Sequence, residues 1–576
     1  MRFWVLALVL AGCGDAATSG GWPDGGGGGV PDGATTTDGG EGDVSPGDGF
    51  GAKDGGAETA GADGGGATDA GAATDGGADG HGGGTDAALA DTTGLDGATD
   101  GSAADGEADT DDAATPTDGG PDGTLDTGNP TDAPDTSTTP PPLFDLAAIA
   151  DPSTADCTFE GSKTVLKDGV LVTVWRASYL SWESIDGTLV PIRIRGYAAR
   201  PNSAALPLPG VVQAHGLGGY AEESHATGTA ALLGMAVMAY TGPGGGTIPE
   251  NTSEGLPAGH QDGYRMFDTI PDPRGSWFWG HAVAAMRGLT CLAATPDVDG
   301  TRLGITGFSA GGVVSLMVAG VDPRVTASVP LSGTGAWSVA MQSPKAWQHT
   351  LLTKAGLTMQ SPEWLAHQAL LDPSVLVAGT GAHVMMVNGS TDEFFPLSAH
   401  VATYDAIGAS DKRTSIAANF DHGCYALTGV EGEKTIAERA ELHAKGAQRM
   451  WLRHWLTDDP DWKTVPPEPT VSLQDAGGAT LVVAEVGPPG SALQIEEVTL
   501  WWSNDDAFLF GGVKLDPYGG NTWGLLALFP LAPGTVSFVD VQYRTKGLFP
   551  QRFTLSSRPA IPPGHVPHIR DIATCL

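Results

Sequence analysis

The sequence predicts an α/β fold in which a doubly wound, mostly parallel sheet is followed by an antiparallel β-sandwich and preceded by a long disordered segment. Short apolar runs alternate with helical stretches from residue 143 to 462, and period-two runs follow to residue 576. Residues 14–142 contain almost no large apolar side chain. Alternating strands and helices are typical of a parallel sheet covered by helices on both faces.

The first 13 residues have the pattern of a secretion signal. Arg2 precedes an apolar run over residues 3–10, which is too short to remain as a membrane-spanning helix. Small residues stand directly before Cys13, as in a bacterial lipobox, so we expect cleavage and lipid modification at Cys13. Because glycine rather than aspartate follows this cysteine, we expect the anchored protein in the outer membrane or at the cell surface of a Gram-negative bacterium. The alternative is a plain secretory signal with an incidental cysteine.

Residues 14–142 consist mainly of glycine, aspartate, alanine, threonine and proline. Such a segment cannot bury enough apolar surface to offset the entropy lost on ordering, so we expect a disordered tether. It contains one lysine, Lys53, and carries most of the formal net charge of −39. The acidity therefore belongs to the tether and says little about a substrate. The tether lacks the nine-residue period of calcium-binding solenoids.

Apolar runs of strand length predict the central sheet. They occupy residues 172–179, 190–198, 210–214, 236–240, 303–306, 326–331, 384–387 and 415–420. An amphipathic helix is predicted over residues 434–456. Two connections, 242–277 and 333–381, exceed ordinary loop length and are expected to cover a pocket. Their tryptophans are expected mainly in the core, with stacking on a sugar or aromatic group as the alternative.

Residues 307–311 have the G-x-S-x-G pattern between an apolar strand and a helix-like stretch. A serine on such a tight turn projects its hydroxyl away from the backbone, and the glycines avoid collisions with neighbouring elements. A chain with 86 glycines can contain this pattern by chance, so the flanking sequence must support the interpretation of Ser309 as a nucleophile. Ser309 is the candidate nucleophile.

A carboxylate and a histidine follow in the order that a serine nucleophile needs in such folds. Asp392 comes just after the strand 383–387, and His422 follows the strand 413–420. Asp392 is the candidate acid and His422 the candidate base. Glu393 and Asp421 are the nearest alternatives for the acid.

An oxyanion formed at the reacting carbonyl needs backbone N–H donors. The amide of Ala310 follows the nucleophile and supplies the first. Leu217, in the glycine-rich loop after the strand 208–214, is the candidate for the second, with Gly218 as the alternative. His215 begins this loop, and we expect it to shape the loop rather than to act as a base.

With these residues in place, the chain resembles the acetyl xylan esterase and cephalosporin C deacetylase group of α/β-hydrolases, and more loosely the dienelactone hydrolase and prolyl oligopeptidase-like families. The resemblance covers residues 180–456. It rests on residues 192–201, 215–219, 280–289, 296–307, 389–392 and 422–423. In that group an aromatic residue usually follows His-Gly, and glutamine commonly follows the nucleophile. Leu217 and Ala310 stand there instead, which retains the backbone donors but changes the acyl pocket.

After residues 466–469 the pattern changes to alternating apolar and polar positions. The runs cover residues 479–486, 497–502, 523–529 and 536–543. They predict an antiparallel β-sandwich of immunoglobulin or fibronectin type over residues 463–576. We expect it to pack on the hydrolase domain as a structural unit, and carbohydrate binding is the alternative.

Beyond Cys13 the chain has four cysteines, an even number for a protein of an oxidising compartment. They are Cys157, Cys291, Cys424 and Cys575. One or two disulfides are expected; a Cys157–Cys575 bridge would join the ends of the folded region, and Cys291 could remain a buried free thiol. No zinc spacing, nucleotide-binding motif or basic nucleic-acid patch is present, so the sequence implies no cofactor.

The sequence therefore predicts a lipid-anchored serine hydrolase that cleaves carboxylic esters, with a small-molecule or polysaccharide ester as its substrate. Two alternatives remain open: a prolyl oligopeptidase-like peptidase, and a non-catalytic surface binding protein that keeps a hydrolase fold. The tether leaves no room for a propeller before the hydrolase domain, and the complete set of candidate residues argues against the binding protein.

Overall fold

The computed structural model describes most of the chain after residue 141. The described residues are 142–255, 264–267, 270–422, 438, 440–504, 509–527, 531 and 534–566. The predicted signal, Cys13 and the tether up to residue 141 lie outside them, as do Cys424 and Cys575. None of the described helices is long and apolar enough to cross a membrane.

A mixed sheet forms the centre of the described structure. In chain order, its first strands are β1 (Thr158–Lys167), β2 (Val170–Ile185), β3 (Thr188–Pro201), β4 (Leu208–Ala214), β5 (Ala236–Tyr240), β6 (Val298–Phe308), β7 (Val325–Leu331), β8 (His383–Gly389) and β9 (Lys412–Ala417). Their spatial order is β1-β2-β3-β5-β4-β6-β7-β8-β9. The first three strands pair antiparallel, and every neighbouring pair from β5 to β9 is parallel. The predicted doubly wound, mostly parallel sheet is confirmed.

Helices cover both faces of the sheet. In chain order they are α1 (Leu146–Ala150), α2 (Glu223–Leu233), α3 (Tyr264–Phe267), α4 (Trp277–Ala293), α5 (Ala310–Val321), α6 (Trp337–Ala340), α7 (Trp347–Lys354), α8 (Pro362–Leu371), α9 (Pro373–Leu376), α10 (Leu397–Ala406) and α11 (Gly446–Leu456). α4 and α5 contribute to one core, and α2 and α11 to a second. Strands between the two cores are buried on both faces, which explains their near-continuous apolar sequences.

The strand order reverses between β4 and β6. β4 is followed by β5 on one side, whereas β6 is followed by β7 on the other. In open α/β sheets, ligands bind in the crevice that this reversal leaves at the carboxyl ends of the strands. Ser309 follows β6 and the His-Gly loop follows β4, so both lie at this crevice.

β1, which pairs with β2 at the edge of the sheet, was not predicted. Its side chains are mostly exposed or half-buried, so it lacks the apolar alternation on which the prediction of strands depends. The final helix also differs from the prediction over 434–456. The described part begins with a π-helical turn, Ala440–Lys445, and continues as α11.

Cys157, just before β1, forms a disulfide with Cys291 in α4. The expected alternatives, a Cys157–Cys575 bridge and a free thiol at Cys291, are therefore wrong. The chain from α1 to β1 folds back over α4, where the buried guanidinium of Arg287 donates hydrogen bonds to the carbonyls of Ala148, Ile149 and Asp151. This packing brings the two cysteines together across 134 residues of sequence.

The C-terminal region consists of two antiparallel sheets, which confirms the predicted β-sandwich. Its strands are β10 (Thr470–Asp475), β11 (Thr480–Glu485), β12 (Leu493–Ser503), β13 (Gly511–Lys514), β14 (Asp516–Gly519), β15 (Thr522–Ala527), β16 (Val536–Thr545) and β17 (Arg552–Ser556). One sheet has the order β10-β11-β15-β14, and the other, β17-β16-β12-β13, continues the central sheet through the pairing of β17 with β9. This continuity was not predicted.

Candidate active site

Ser309 occupies a sharp turn between β6 and α5. Its backbone has φ 61° and ψ −123°, a conformation that costs a non-glycine residue free energy and persists only where the surrounding structure enforces it. The carbonyl oxygen of Ser309 accepts hydrogen bonds from the amides of Gly312 and Val313. Its own amide donates to the carbonyl of Leu331 in β7. The turn is thus tied to both the following helix and the neighbouring strand.

The two outer glycines of the motif are required by close packing. A Cβ atom on Gly307 would lie 2.5 Å from the carbonyl oxygen of Gly311 and 2.7 Å from that of Ala214. A Cβ on Gly311 would collide with the carbonyl group of Ala214 at the end of β4. Glycine at both positions therefore avoids collisions with neighbouring elements, as predicted from the sequence.

His422 lies beside the hydroxyl of Ser309. The imidazole Nε2 atom is 3.0 Å from Ser309 Oγ, although the two residues are 113 positions apart in the sequence. Its Nδ1 atom is 3.0 Å from Oδ2 of Asp392. The Nδ1 proton is donated to the carboxylate, which leaves Nε2 as the acceptor for the serine proton.

The carboxylate of Asp392 is held by its own loop. Its Oδ1 atom accepts hydrogen bonds from the amides of Phe394 and Phe395, at 2.9 and 2.8 Å. Oδ2 remains directed at His422. The loop follows β8, so the acid also belongs to the carboxyl edge of the sheet.

Aromatic rings surround the imidazole of His422. Phe308 stacks on it with ring centroids 4.9 Å apart, and Phe394 makes an edge contact at 4.8 Å. Ser309, Asp392 and His422 are 4, 1 and 2 % exposed. Excluding water from the chain of hydrogen bonds strengthens the electrostatic interactions within it.

The pKa of His422 is raised above 6.5. Burial is the largest single effect and disfavours the imidazolium, but the charge and hydrogen bond of Asp392, together with the charges of Glu393 and Asp421, outweigh it. Burial, followed by the charge of Asp392, raises the pKa of Glu393 to about 7. The ionisation of Glu393 and that of His422 therefore depend on each other.

The loop after β4 approaches the nucleophile closely. A Cβ on Gly216 would lie 3.2 Å from Cβ and 3.7 Å from Oγ of Ser309, so the backbone of this loop borders the hydroxyl. Residues 216–219 form a turn closed by a hydrogen bond from Gly219 N to Gly216 O, with Gly218 at φ 72°. Leu217 lies within this turn. Ala310 begins α5, where an amide has no acceptor within its own helix.

His215 does not contact the nucleophile in the manner of a base. Its Nε2 atom accepts a hydrogen bond from the amide of Gly242, and Nδ1 donates to the carbonyl of Gly216. Burial lowers the pKa of His215 to about 4, so it is neutral near pH 7. It connects the loop after β4 to the end of β5, in agreement with the expected shaping role.

The segment 333–381 carries an aromatic cluster. Phe267 of α3 contacts Trp337, Trp347 and Trp364 with ring centroids 5.0–6.2 Å apart. Trp337 and Trp364 are fully buried, which makes them core residues. Trp347 is half-buried and donates a hydrogen bond from Nε1 to the carbonyl of Phe394 in the acid loop. This segment is thereby joined to the candidate site.

Glu393 was expected only as an alternative acid. The Oε2 atom of Glu393 instead accepts a hydrogen bond from the main-chain N–H of His422, at 2.9 Å. Asn419, three residues before His422, was overlooked; its backbone has a φ of 58°. The adjacent acidic residues 392 and 393 are visible in the sequence, but which atom of His422 each carboxylate contacts depends on the fold.

Residues 171–431 match the acetyl xylan esterase (AXE1) family model. The acetyl esterase Axe7A of Xylanibacter ruminicola is 44 % identical over 59 residues, which are 10 % of this chain and 13 % of Axe7A. The chain thus spans only a small part of that curated relative.

Two solved acetyl xylan esterases are among the similar structures. That of Paenibacillus sp. R4 has 19 % identity and a TM-score of 0.39, covering 48 % of this chain and 86 % of its own. Acetyl xylan esterase 1 of Thermoanaerobacterium sp. JW/SL YS485 has 17 % identity and a TM-score of 0.39, covering 50 % of this chain and 90 % of its own.

The family match contains the strand-to-helix turn, the loop after β4, the acid loop and the base loop. Residues 171–431 are therefore similar to the acetyl xylan esterase family.

Proposed function

We propose that this protein is a serine hydrolase that cleaves carboxylic esters through an acyl-enzyme on Ser309. The observation that carries this proposal is the hydrogen-bonded series Ser309, His422 and Asp392, with consecutive distances of 3.0 Å. These residues lie at the crevice between β4 and β6, so the substrate binds at the carboxyl edge of the sheet.

In the first half-reaction, Ser309 Oγ attacks the ester carbonyl while His422 Nε2 takes its proton. Asp392 keeps the imidazole oriented and stabilises the imidazolium. The amides of Ala310 and Leu217 donate to the oxyanion. His422 then protonates the departing alcohol, and water, activated by the same histidine, releases the acid and restores Ser309.

We propose acetyl or other short acyl esters of carbohydrates as the substrate class. The family match and the name of the curated relative support this choice. Leu217 in place of the usual aromatic residue changes the wall of the acyl pocket, so the ranking of acyl lengths is part of the test.

The experiment compares purified full-length wild-type protein with Ser309→Ala on p-nitrophenyl acetate, butyrate and octanoate, with a proline p-nitroanilide alongside. We expect ester turnover that Ser309→Ala reduces by about 10⁴-fold or more, because the nucleophile is lost. Ser315→Ala, which alters a buried serine of the same helix, is the matched control and should retain turnover. Turnover of the anilide alone would favour the peptidase, and inactivity of the wild type on all four would favour a binding role.

We further propose that Cys13 carries a lipid that anchors the protein in the bacterial cell envelope, with residues 14–142 as a spacer. The small residues before Cys13 and the acidic, self-repelling composition of the spacer support this proposal. Labelled fatty acid should be incorporated into the wild-type chain and not into Cys13→Ser. Equal labelling of both chains would contradict the anchor.

A further inference from the structure

A second carboxylate, that of Glu393, contacts the main chain of His422. Glu393 is 2 % exposed, and its Oε2 atom accepts the main-chain N–H of His422 at 2.9 Å. Its Oε1 atom is buried and has no hydrogen-bond partner among the described residues. A buried carboxyl group with an unsatisfied oxygen is costly for a fold, so its presence at the reacting centre calls for a functional explanation.

We propose that Glu393 is a positioning residue for the proposed ester hydrolysis, which fixes the main chain of His422 while Asp392 fixes its ring, and whose charge stabilises the imidazolium. The proposal rests on the proposed function. No proton passes through Glu393, since the serine proton moves to Nε2 of His422 and then to the leaving alcohol.

The two carboxylates act on different atoms of one histidine. Asp392 reaches Nδ1 and Glu393 reaches the backbone amide, and both carboxylates come from the loop after β8. This loop is itself held by hydrogen bonds from Ser390 N to Ala417 O and from Thr391 N to Phe420 O. These two hydrogen bonds, together with those of Asp392 and Glu393 to His422, connect the acid loop to the segment that carries the base.

The charge of Glu393 couples to the same proton transfer. The groups that face His422 are Asp392, Glu393 and Asp421, and each raises the pKa of the imidazole against the opposing effect of burial. The ionisable groups that face Glu393 are Asp392 and His422. Burial, followed by the charge of Asp392, raises the pKa of Glu393 to about 7. Glu393 is therefore increasingly ionised above pH 7, where its charge favours the imidazolium formed during acyl transfer.

The test compares Glu393→Gln and Glu393→Ala with the wild-type protein. Glutamine keeps an oxygen for the His422 amide but has no charge, whereas alanine removes both. Glu363→Gln, which alters an exposed glutamate in α8, is the matched control. For each protein, kcat and KM for p-nitrophenyl acetate are measured against pH. The rate at which an organophosphorus reagent labels Ser309 is measured in the same series.

We expect E393Q to shift the acidic limb of both profiles to lower pH and to reduce the plateau of kcat by about threefold to tenfold. Glu393→Ala should reduce kcat by roughly tenfold to a hundredfold, because it also leaves the buried N–H of His422 unsatisfied. KM should change little in both. A merely structural role would alter thermal stability without moving the acidic limb.

An E393Q protein with the acidic limb and plateau of the wild type would overturn the proposal. The labelling reaction needs no ester, so it separates this result from failure of the proposed function. Wild-type protein that is labelled at Ser309 but hydrolyses no ester would count against the ester substrate, and the labelling profiles would still decide the role of Glu393.

Discussion

At the scale of single residues, the reactivity of Ser309 depends on the tautomer of one buried imidazole. Asp392 accepts from Nδ1 of His422, and this contact leaves Nε2 free to accept from Ser309 Oγ. Asp392 is in turn restrained by the amides of Phe394 and Phe395. The carboxylate cannot easily rotate away, which keeps the imidazole in the productive orientation throughout the proposed reaction.

Asp392→Asn should reduce kcat by on the order of 10⁴-fold, because an amide no longer enforces the required tautomer. It should also move the acidic limb of the pH profile downward, since the charge of Asp392 helps raise the pKa of His422. In the wild type, turnover should rise through an apparent pKa above 6.5, as the neutral imidazole becomes populated. Steady-state kinetics against pH checks both expectations.

Asp421→Asn is the matched comparison for this prediction. Asp421 adjoins His422 and raises its pKa, but Asp392 makes the contact with Nδ1. We expect a loss of no more than about tenfold, because only a charge is removed. A larger loss in Asp421→Asn than in Asp392→Asn would show that the acid was assigned to the wrong aspartate.

At the scale of elements, the strand-to-helix turn depends on how closely β4 approaches α5. Gly311 of α5 lies against the carbonyl group of Ala214, the last residue of β4. The same approach places the loop after β4 beside Ser309. One close contact therefore positions both the nucleophile and the loop that carries the proposed oxyanion donor.

Gly311→Ala should displace this loop and the turn together. A misplacement of about 1 Å at a reacting centre costs roughly a hundredfold in rate, and we expect kcat/KM to fall by about that factor or more. Overpacking should also lower the free energy of unfolding by about 1–3 kcal/mol. Urea unfolding and p-nitrophenyl acetate turnover measure the two effects.

Gly228→Ala is the control for this substitution. Gly228 lies inside α2, and a Cβ there would contact only Lys167 Cε, at 3.5 Å. Alanine should leave turnover unchanged and raise the free energy of unfolding by about 0.5–1 kcal/mol. If both glycine variants behaved alike, the contact with Ala214 would not be what constrains the turn.

At the scale of the whole molecule, the C-terminal β-sandwich is continuous with the domain that carries the site. β17 pairs with β9, and the amide of Ile416 donates to Ser556 Oγ. One core joins Met450 and Trp451 of α11 to Val541 and Phe553 of the sandwich. The base loop begins just after β9, so the sandwich contacts the strand that leads into this loop.

Asn419 connects the sandwich to the segment that carries His422. Its side chain donates to the carbonyl of Phe510 and accepts from the amide of Phe510, at 2.9 and 2.8 Å. It is fully buried, with a positive φ that asparagine tolerates better than most residues. A change in the sandwich can therefore reach the base loop through this residue.

Asn419→Ala should lower the free energy of unfolding by about 2–4 kcal/mol, because it leaves a buried amide and a buried carbonyl of Phe510 unpaired. Ester turnover should fall with it, since the base loop loses its support. The exposed Asn202→Ala should change stability by no more than about 0.5 kcal/mol. Turnover and melting temperature of Asn419→Ala equal to those of the wild type would mean that the sandwich does not support the site.

The sequence was sufficient to predict the elements that follow strong local rules. Strands that are buried on both faces, such as β5, can be predicted from their continuous apolar residues. The mostly exposed β1 had no such pattern. The pairing of Cys157 with Cys291 also escaped prediction, because it depends on a long-range packing of the N-terminal segment over α4.

Sequence patterns alone predict the α/β architecture, the β-sandwich, the strand-to-helix turn at Ser309 and the chain order of Ser309, Asp392 and His422. These follow from hydrophobic periodicity, from glycine at crowded positions and from side chains placed at strand ends. The folded chain was needed to show that Asp392 contacts the imidazole while Glu393 contacts the backbone amide of His422, and that the central sheet extends into the C-terminal region. Those features depend on contacts between residues far apart in the chain, which local patterns do not encode.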